Sequence, residues 1–267
     1  DAGNLTIHAW DSVDINGRGR INTNVREGGQ GMGGDLFLET GQLTVQNGGQ
    51  ISAGTFDQGN AGTLTIQATD TVRLTGRSQD GNPSGLFTQS QGEGAAGGLR
   101  VITQDLIVQD GAAVSVSGFG SGNPGNLDIE AQSIFLDQGR IEAGTTSGVG
   151  ANIALQVQDN ILMRNRSLIN AQALNNGSGG NLDINADFVI AIPVENSDII
   201  ANAQEGSGGR IDITAQRIFG LQVRDPLTPL SDINASSEFG TDGEVVINQP
   251  DVDPNRGLLQ LPTGLVD

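Results

Sequence analysis

Short segments in which apolar and polar residues alternate make up most of this chain, and turns rich in glycine, asparagine and serine separate them. Residues 125–150 show the unit: 127–129 (LDI), 134–136 (IFL) and 141–143 (IEA) alternate, and a glycine-rich segment closes it. Successive side chains on a β-strand point to opposite faces, so each segment has one apolar face. The pattern predicts three short strands per unit.

Copies of this unit recur along the chain at a spacing of about 30 residues. Nine starts fit Gly-x-Leu-x-Ile with conservative changes: Gly3, Gly34, Gly62, Gly97, Gly125, Ala151, Gly180, Gly209 and Gly243. Two apolar columns follow these starts. The first contains Leu5, Leu36, Leu64, Leu99, Leu127, Ile153, Leu182, Ile211 and Val245, and the second contains Ile7, Leu38, Ile66, Val101, Ile129, Leu155, Ile184, Ile213 and Ile247. One copy cannot bury its apolar face alone, but stacked copies can.

The second and third segments of each copy are also apolar on one face. For the second we predict inward pairs Val13/Ile15, Leu43/Val45, Val72/Leu74, Leu106/Val108, Ile134/Leu136, Ile161/Met163 and Phe188/Ile190, then Ile218 or Leu221. For the third we predict Ile21, Ile51, Leu86, Val114/Val116, Ile141/Ala143, Ile169/Ala171, Ala201/Ala203 and Ile233/Ala235.

These columns predict an all-β fold, a right-handed parallel β-helix (solenoid) of about nine coils of roughly 30 residues with three short strands each. No segment has a sustained helical period, so we expect almost no helix. At the ~4.8 Å spacing of neighbouring strands, nine coils form a rod on the order of 40 Å long. We place one domain at residues 1–249 and an irregular carboxy-terminal extension at 250–267, because the pattern fails after Gln249.

The residues at the start of each copy are expected to form corners. Glycine there would supply positive φ without steric cost. Asn4, Asn126, Asn152 and Asn181 follow the start and suit a left-handed corner, where their side chains could bond from coil to coil. Two insertions containing proline, residues 78–84 and 224–229, are predicted to leave the scaffold as loops.

The net charge of the chain argues against some classes of binding partner. The net charge of −18 and pI near 4.1 argue against nucleic acid and anionic membranes, and no apolar run is long enough to span a membrane as a helix. The chain has no cysteine for a disulfide or thiolate site. The glycine run 28–34 lacks the lysine and following helix of a phosphate-binding loop. We predict no cofactor.

Asp183 and Asp212 are the best catalytic candidates, because they occupy the same outward column in successive copies. Carboxylates about 5 Å apart can serve a retaining glycosidase or hold Ca²⁺. The alternative, which we prefer, is that the two aspartates are solvent-exposed residues that keep the surface soluble. The neighbouring columns show no lysine, tyrosine or histidine that could take part in catalysis.

Other polar and aromatic residues are weaker candidates. His8, the only histidine, cannot build a histidine-rich metal site, and Trp10, the only tryptophan, is expected to cover an edge or, less favourably, to stack on a sugar. Turn carboxylates invite a calcium hypothesis, but the nonapeptide repeat of calcium-binding β-rolls does not recur, so no metal is predicted. These carboxylates are Asp57, Asp80, Asp110, Asp137 and Asp242.

The repeat G-N-L-x-I-x-A…I-x-L-x-x-G-x-I-x-A-x-T…G-x-G resembles repeats of filamentous-haemagglutinin-like exoproteins, especially the large cyanobacterial ones. Residues 231–247 are similar to the closing repeat of that group, and residues 251–258 and 261–263 to its continuation. The resemblance implies an adhesin or structural component of the cell surface, secreted by the two-partner route. It also implies the outer surface of a Gram-negative-type bacterium. We expect the outer-membrane transporter to bind a region outside this chain.

Two functions therefore stand as hypotheses. The first is a non-catalytic structural or adhesive stalk segment whose two insertions contact surface glycans or neighbouring cells. The alternative is a carbohydrate-active β-helix enzyme, a polysaccharide hydrolase or lyase, that uses Asp183 and Asp212 on its outer face. A deep groove around the two carboxylates would favour the enzyme, and a shallow face rich in threonine, asparagine and glutamine would favour the stalk.

Overall fold

The structure is a computed structural model that describes residues 1–250 except 30, 57, 121, 123, 147 and 149. Parallel β-strands stack along it as a solenoid, as the sequence predicts. The only helix among the described residues is one 3-10 turn, Pro193–Glu195. The predicted extension begins at Pro250, and residues 251–267 lie outside the described residues.

The first sheet contains ten strands of the described chain, all paired in parallel. In stacking order they are β1 (Leu5–His8), β4 (Leu36–Gln46), β6 (Leu64–Thr75), β8 (Leu99–Gln109), β10 (Leu127–Asp137), β12 (Ile153–Arg164), β14 (Leu182–Ala191), β16 (Arg210–Phe219) and β19 (Glu244–Asn248), while β2 (Ser12–Asn16) also pairs with β4. About seven complete turns carry the long strand of this sheet, between shorter strands at the two ends.

The second sheet contains nine strands of the described chain. In stacking order they are β3 (Arg20–Asn22), β5 (Gln50–Thr55), β7 (Gly85–Ser90), β9 (Ala113–Gly118), β11 (Arg140–Thr145), β13 (Leu168–Asn170), β15 (Asp198–Ile200), β18 (Asp232–Asn234) and β17 (Gln222–Val223). The strand β17 precedes β18 in the chain but pairs with its outer edge. It therefore occupies the edge position that a further coil would take.

Both apolar columns of the first segment are confirmed residue by residue. Leu5 pairs with Leu36, and the register continues without a slip through every coil to Val245. From the second to the eighth coil, these inward side chains are at most 1% exposed. The core is therefore a set of aliphatic ladders along the axis, in which each residue packs on its equivalent in the next coil.

The first two apolar segments of each coil join into one long strand in the middle of the molecule. Register shifts mark the junction, for example between Thr40 and Gln42 of β4 and between Ala131 and Ser133 of β10. A bulge lets a continuous strand bend and turn its apolar face around the core. One sheet thus covers two sides of the core, where the sequence had indicated separate strands.

Two of the predicted inward positions, Phe188 and Ile190, are wrong, because both side chains lie on the outer face. In β14, Val189 pairs with Ile161 and points inward, whereas Phe188 is 37% exposed on the outer face. The bend takes three residues from Ala186 to Val189, one more than simple alternation supposes, which reverses the face of each side chain after it. In the third segment of that coil, the first inward residue is Ile199, which pairs with Ile169 of the coil before. Ala201 and Ala203 follow Ile199 along the chain.

The starting glycines have a different role from the one predicted. None of them has a positive φ, but a Cβ on Gly125 would overlap the carbonyl oxygen of Gly97 in the coil below. The same overlap would occur at Gly97 against Gly62. These glycines are required because two coils approach each other closely there. The left-handed corners lie between the second and third segments, at Asn47, Asp110, Gln138, Asn165 and Asn196 among others.

Side-chain ladders reinforce the corners. The asparagines after the starting glycines are not left-handed, but the predicted ladder is confirmed: Asn181 N donates to Asn152 Oδ1 at 3.0 Å, and Asn152 Nδ2 donates to Asn126 Oδ1 at 3.4 Å. A second, buried ladder runs through serine hydroxyls, with Ser167 N donating to Ser197 Oγ at 3.2 Å and Ser197 N to Ser231 Oγ at 3.0 Å.

Candidate functional site

Asp183 and Asp212 lie side by side on the outer face of the first sheet, as predicted, because they are register partners in β14 and β16. Both carboxylate oxygens of Asp212 already bond to neighbouring side chains. Its Oδ2 forms a 3.0 Å ion pair with Arg210 Nη2, and its Oδ1 accepts a 2.9 Å hydrogen bond from Asn248 Nδ2. A carboxylate whose two oxygens are both bonded to the protein is poorly suited to act as a nucleophile or base.

Among the described residues, the ionisable groups that contact or flank the pair are Arg210 and its ion-pair partner Glu244. The same column continues to Ala154 on one side and Val246 on the other. In the next outward column, Asn185 and Thr214 flank the pair. Among the described residues, no three histidine or carboxylate side chains are grouped closely enough to hold a metal ion. The two aspartates thus lie on an open polar surface.

A depression near these strands follows the bend of the first sheet and has a volume of about 660 Å³. Its wall consists mainly of amides and carboxylates, and its floor includes Ala131 and Val157. The polar members are Gln104, Glu130, Gln132, Gln156, Gln158, Asn185 and Asp187. Neither Asp183 nor Asp212 lines it. The face is the glutamine- and asparagine-rich surface that we associated with a stalk.

His8 and Trp10 lie together at one end of the same bend. His8 Nδ1 is 2.8 Å from Glu39 Oε2, and its ring tilts against Phe37 at a centroid distance of 5.8 Å. Trp10 is fully exposed, so the expectation that it covers an edge is wrong. A cavity of about 300 Å³ lies beside both rings. One histidine and one glutamate, both exposed, do not form a metal site.

The first insertion is a loop that its own hydrogen bonds hold in shape. Ser78 N donates to Asn82 O at 2.8 Å, and Gly81 N donates to Ser78 O at 2.9 Å. From the strand side, Arg77 Nη1 donates to Gly81 O at 3.0 Å. The side chains at the tip, Gln79, Asp80 and Asn82, are exposed. The loop therefore presents polar groups on a fixed backbone.

The second insertion folds against the end of the solenoid, which the sequence did not predict. Arg224 forms an ion pair with Asp232, whose side chain is completely buried. Thr228 donates to the other oxygen of Asp232 from its backbone N at 2.6 Å and from its hydroxyl at 2.8 Å. This insertion is thus part of the end of the core.

The electrostatics of this end follow from burial and hydrogen bonding. Burial opposes ionisation of Asp232, but the donors on Thr228 and Arg224 outweigh it and lower its pKa. At Asp198, in the coil below, burial raises the pKa, the bond from the Asp232 N–H offsets part of this, and the charge of Asp232 adds to the rise. The buried Asp232 carboxylate is bonded on both oxygens to Arg224 and Thr228, which indicates a structural role.

A second engaged pair lies at the corner that precedes β13. Glu195 accepts two 2.7 Å hydrogen bonds from Arg164 and one of 2.9 Å from Asn165 N. These bonds lower the pKa of Glu195, and the bonds that Arg164 donates to the Glu195 carboxylate raise the pKa of Arg164. Nothing in the sequence around either residue marks them as partners, because they are brought together only by coil stacking.

Of the turn carboxylates considered for calcium, the described ones bond mainly to protein groups or face solvent. Asp137 Oδ1 accepts a 2.8 Å bond from Asn165 Nδ2, and Asp242 Oδ1 accepts one of 2.8 Å from Ser237 N. Asp80 is 3.4 Å from Arg18. Asp57 lies outside the described residues.

Comparison with known proteins gives no relative. No family model, no curated protein and no solved structure matches the chain. Within the described residues, no helix is long and apolar enough to cross a bilayer. A function for this chain must therefore be inferred from the surface of the solenoid itself.

Proposed function

We propose that this chain is a structural and adhesive segment of a secreted cell-surface exoprotein of the filamentous-haemagglutinin-like type, without catalysis of its own. The observation that carries the proposal is the unbroken register of the aliphatic ladders through all the coils of the first sheet. Such stacking makes a stiff support and leaves most of its outer surface shallow and polar.

In this role the solenoid positions the first insertion, residues 78–84, as the point of contact. Its internal hydrogen bonds reduce the conformational entropy lost on binding, which favours recognition by a small exposed tip. Its polar side chains suit surface glycans or the coats of neighbouring cells. The second insertion is assigned no contact, because Arg224 and Asp232 fix it to the solenoid end.

Secretion and location form part of the same proposal. A two-partner transporter of the outer membrane would recognise a region outside this chain and deliver the segment to the outer surface of a Gram-negative-type bacterium. The sequence similarity of residues 125–150 and 231–247 to the exoprotein repeats supports this. The strong negative charge suits a surface segment that remains separate from anionic lipid.

The carbohydrate-active alternative retains one supporting observation, the adjacency of Asp183 and Asp212. Against it stand the two bonds that occupy Asp212 and the position of both residues outside the depression along the bend. We therefore keep the enzyme as the alternative to be tested.

Adhesion can be tested with beads that carry the chain on their surface. We expect parent beads to adhere to bacterial cells or to immobilised surface polysaccharide, and Asp80→Ala/Asn82→Ala beads to lose most of this adhesion. Asp225→Ala is the matched control, since Asp225 is an exposed carboxylate on the other insertion. Equal adhesion of the loop variant and the parent would contradict the role of the loop. No adhesion of the parent to any such surface would contradict the adhesive function.

A further inference from the structure

The indole ring of Trp10 projects into solvent from the bend of the first coil, between β1 and β2. Its relative exposure of 103% is the largest among the large apolar side chains of the described residues. An indole ring stabilises a fold strongly when it packs, and this ring is left in water. A single exposed apolar side chain is ordinary on a protein surface, so the surroundings of the ring decide whether it marks a binding site.

A notch beside the ring forms a cavity of about 300 Å³, which the first three coils line together. The notch arises at Gly41 of the second coil, which has no side chain to fill the space between Trp10 and Thr69. A Cβ on Gly41 would lie 2.4 Å from the carbonyl oxygen of Asp11, so close contact with the first coil keeps this position glycine. The bends of three later coils have long polar side chains instead, namely Gln104, Gln132 and Gln158.

Two polar side chains beside the cavity are already oriented. His8 Nδ1 is 2.8 Å from Glu39 Oε2, and the His8 ring tilts against Phe37. Among the described residues, none forms a hydrogen bond with His8 Nε2 or Glu39 Oε1, so both atoms can bond a ligand. Thr69 adds a hydroxyl group from the third coil. Small-ligand sites combine apolar surface with a few fixed polar groups in this way, at volumes of roughly 300–1,000 Å³.

The chemistry of the cavity fits a neutral sugar best. A pyranose ring presents C–H groups on its face and hydroxyls at its edge, which match an indole ring flanked by a histidine and a carboxylate. A purely apolar ligand would desolvate His8 and Glu39 without giving them partners, which costs free energy. An acidic sugar would be repelled by Glu39 and by the net charge of −18.

We propose that Trp10, His8, Glu39 and the notch at Gly41 bind a neutral carbohydrate. The indole ring stacks on the C–H face of one sugar unit, and the His8–Glu39 pair bonds the hydroxyls at its edge. The site lies at the bend between the first and second segments, whereas residues 78–84 lie between β6 and β7. It is therefore independent of adhesion through that loop, which the Asp80→Ala/Asn82→Ala beads test separately.

Tryptophan fluorescence reports on this site alone, because Trp10 is the only tryptophan and the chain has no tyrosine. The full chain is titrated with the hexasaccharides of glucan, mannan and xylan. At least one of them should shift the emission to shorter wavelength and saturate, since the ring leaves water when it stacks. Hexagalacturonate should bind about tenfold more weakly. The absence of a saturable shift with every neutral hexasaccharide, or equally tight binding of hexagalacturonate, would overturn the proposal.

Trp10→Ala tests whether the indole ring carries the binding, with affinities measured by isothermal titration calorimetry. It should weaken binding of the best neutral hexasaccharide about tenfold. The exposed ring supports no buried contact, so the variant should melt at the temperature of the parent. Phe239→Ala is the matched control, because Phe239 is an aromatic residue that is 71% exposed between β18 and β19, and it should bind as the parent does. Equal affinity of Trp10→Ala and the parent would overturn the site.

Glu39→Gln tests why a neutral sugar is preferred, because it keeps the size of the side chain and removes its charge. Affinity for hexagalacturonate should rise about threefold, the effect in water of one charge roughly 6 Å away. The same titration at higher salt should reduce the difference between the variant and the parent. An unchanged affinity for hexagalacturonate would contradict the role of Glu39 in selecting the ligand.

Discussion

Glycine at the start of a coil is fixed by the distance to the coil below it, and its backbone freedom is secondary. At Gly125 the carbonyl oxygen of Gly97 occupies the place where a Cβ would be. At Gly3, in the same column of the first coil, a Cβ would meet nothing within 4 Å. Gly3 therefore serves as a control for Gly125 within the same column.

Gly125→Ala should lower the free energy of unfolding by about 2 kcal/mol or more, because the coils must separate to admit the methyl group. Gly3→Ala should change it by much less. Thermal unfolding followed by circular dichroism measures both. Equal losses in the two variants would show that backbone conformation, and not coil contact, selects glycine here.

Asp232 is a charged residue whose side chain is completely buried. Because its pKa is lower in the folded state, its stabilising contribution is complete above the ordinary aspartate pKa of about 3.9 and is lost as pH falls through the folded-state pKa. The pKa of Asp198 is raised in the folded state, so ionisation of Asp198 lowers the free energy of unfolding as pH rises above the ordinary aspartate pKa.

Asp232→Asn should lower the free energy of unfolding by about 3 kcal/mol at pH 7, since Arg224 then lacks its counter-charge. The difference from the parent should stay constant down to about pH 4 and narrow as pH falls further toward the lowered pKa of Asp232. Melting temperatures over this range provide the measurement. A difference that stays constant with pH would contradict the assignment of the ion pair.

At the scale of the elements, corners are held by ladders of side chains as well as by backbone pairing. Ser167, Ser197 and Ser231 are at most 1% exposed and bond in series to the backbone of the coil before. A buried N–H left without an acceptor costs more than an ordinary hydrogen bond contributes. The ladder thus couples each corner to the next.

Ser197→Ala removes one of the two acceptors of the Ser167 N–H, the other being Arg164 O at 3.2 Å, and should cost about 1 kcal/mol of unfolding free energy. Ser178→Ala is the matched control, because Ser178 accepts a 3.4 Å bond from Ser207 N on an exposed corner. Denaturant unfolding of the two variants gives the comparison. A control as destabilised as Ser197→Ala would argue against a special role for the buried ladder.

The sequence predicted the elements well where one residue type repeats in register. The Leu5 and Ile7 columns were correct because an aliphatic residue at each step leaves only one alignment. Phe188 was misplaced because alternation alone does not reveal how many residues the bend takes in each coil. The Arg224–Asp232 pair was missed because a proline-containing polar segment is typical of exposed loops. Asp183 and Asp212 were placed correctly, but Asn248, which binds Asp212, comes from another coil.

At the scale of the whole molecule, stability should come from contacts between neighbouring coils, as in other repeat proteins. The two ends of the solenoid differ in how well their edges are covered. In the first coil, Leu5, Ile7, Val13 and Ile21 are only partly buried, whereas β17 covers the edge of β18 at the other end. The outer surface of the described residues is mostly polar, and the chain carries a net charge of −18.

A screen for polysaccharide cleavage tests the proposal that this solenoid is a non-catalytic surface segment. Soluble glucans, mannans, xylans and uronic-acid polymers are incubated with the parent and with Asp183→Asn/Asp212→Asn, and new reducing ends and unsaturated products are measured. We predict no cleavage above background by either protein. Reproducible cleavage by the parent that the double variant loses would contradict the claim and establish the enzyme.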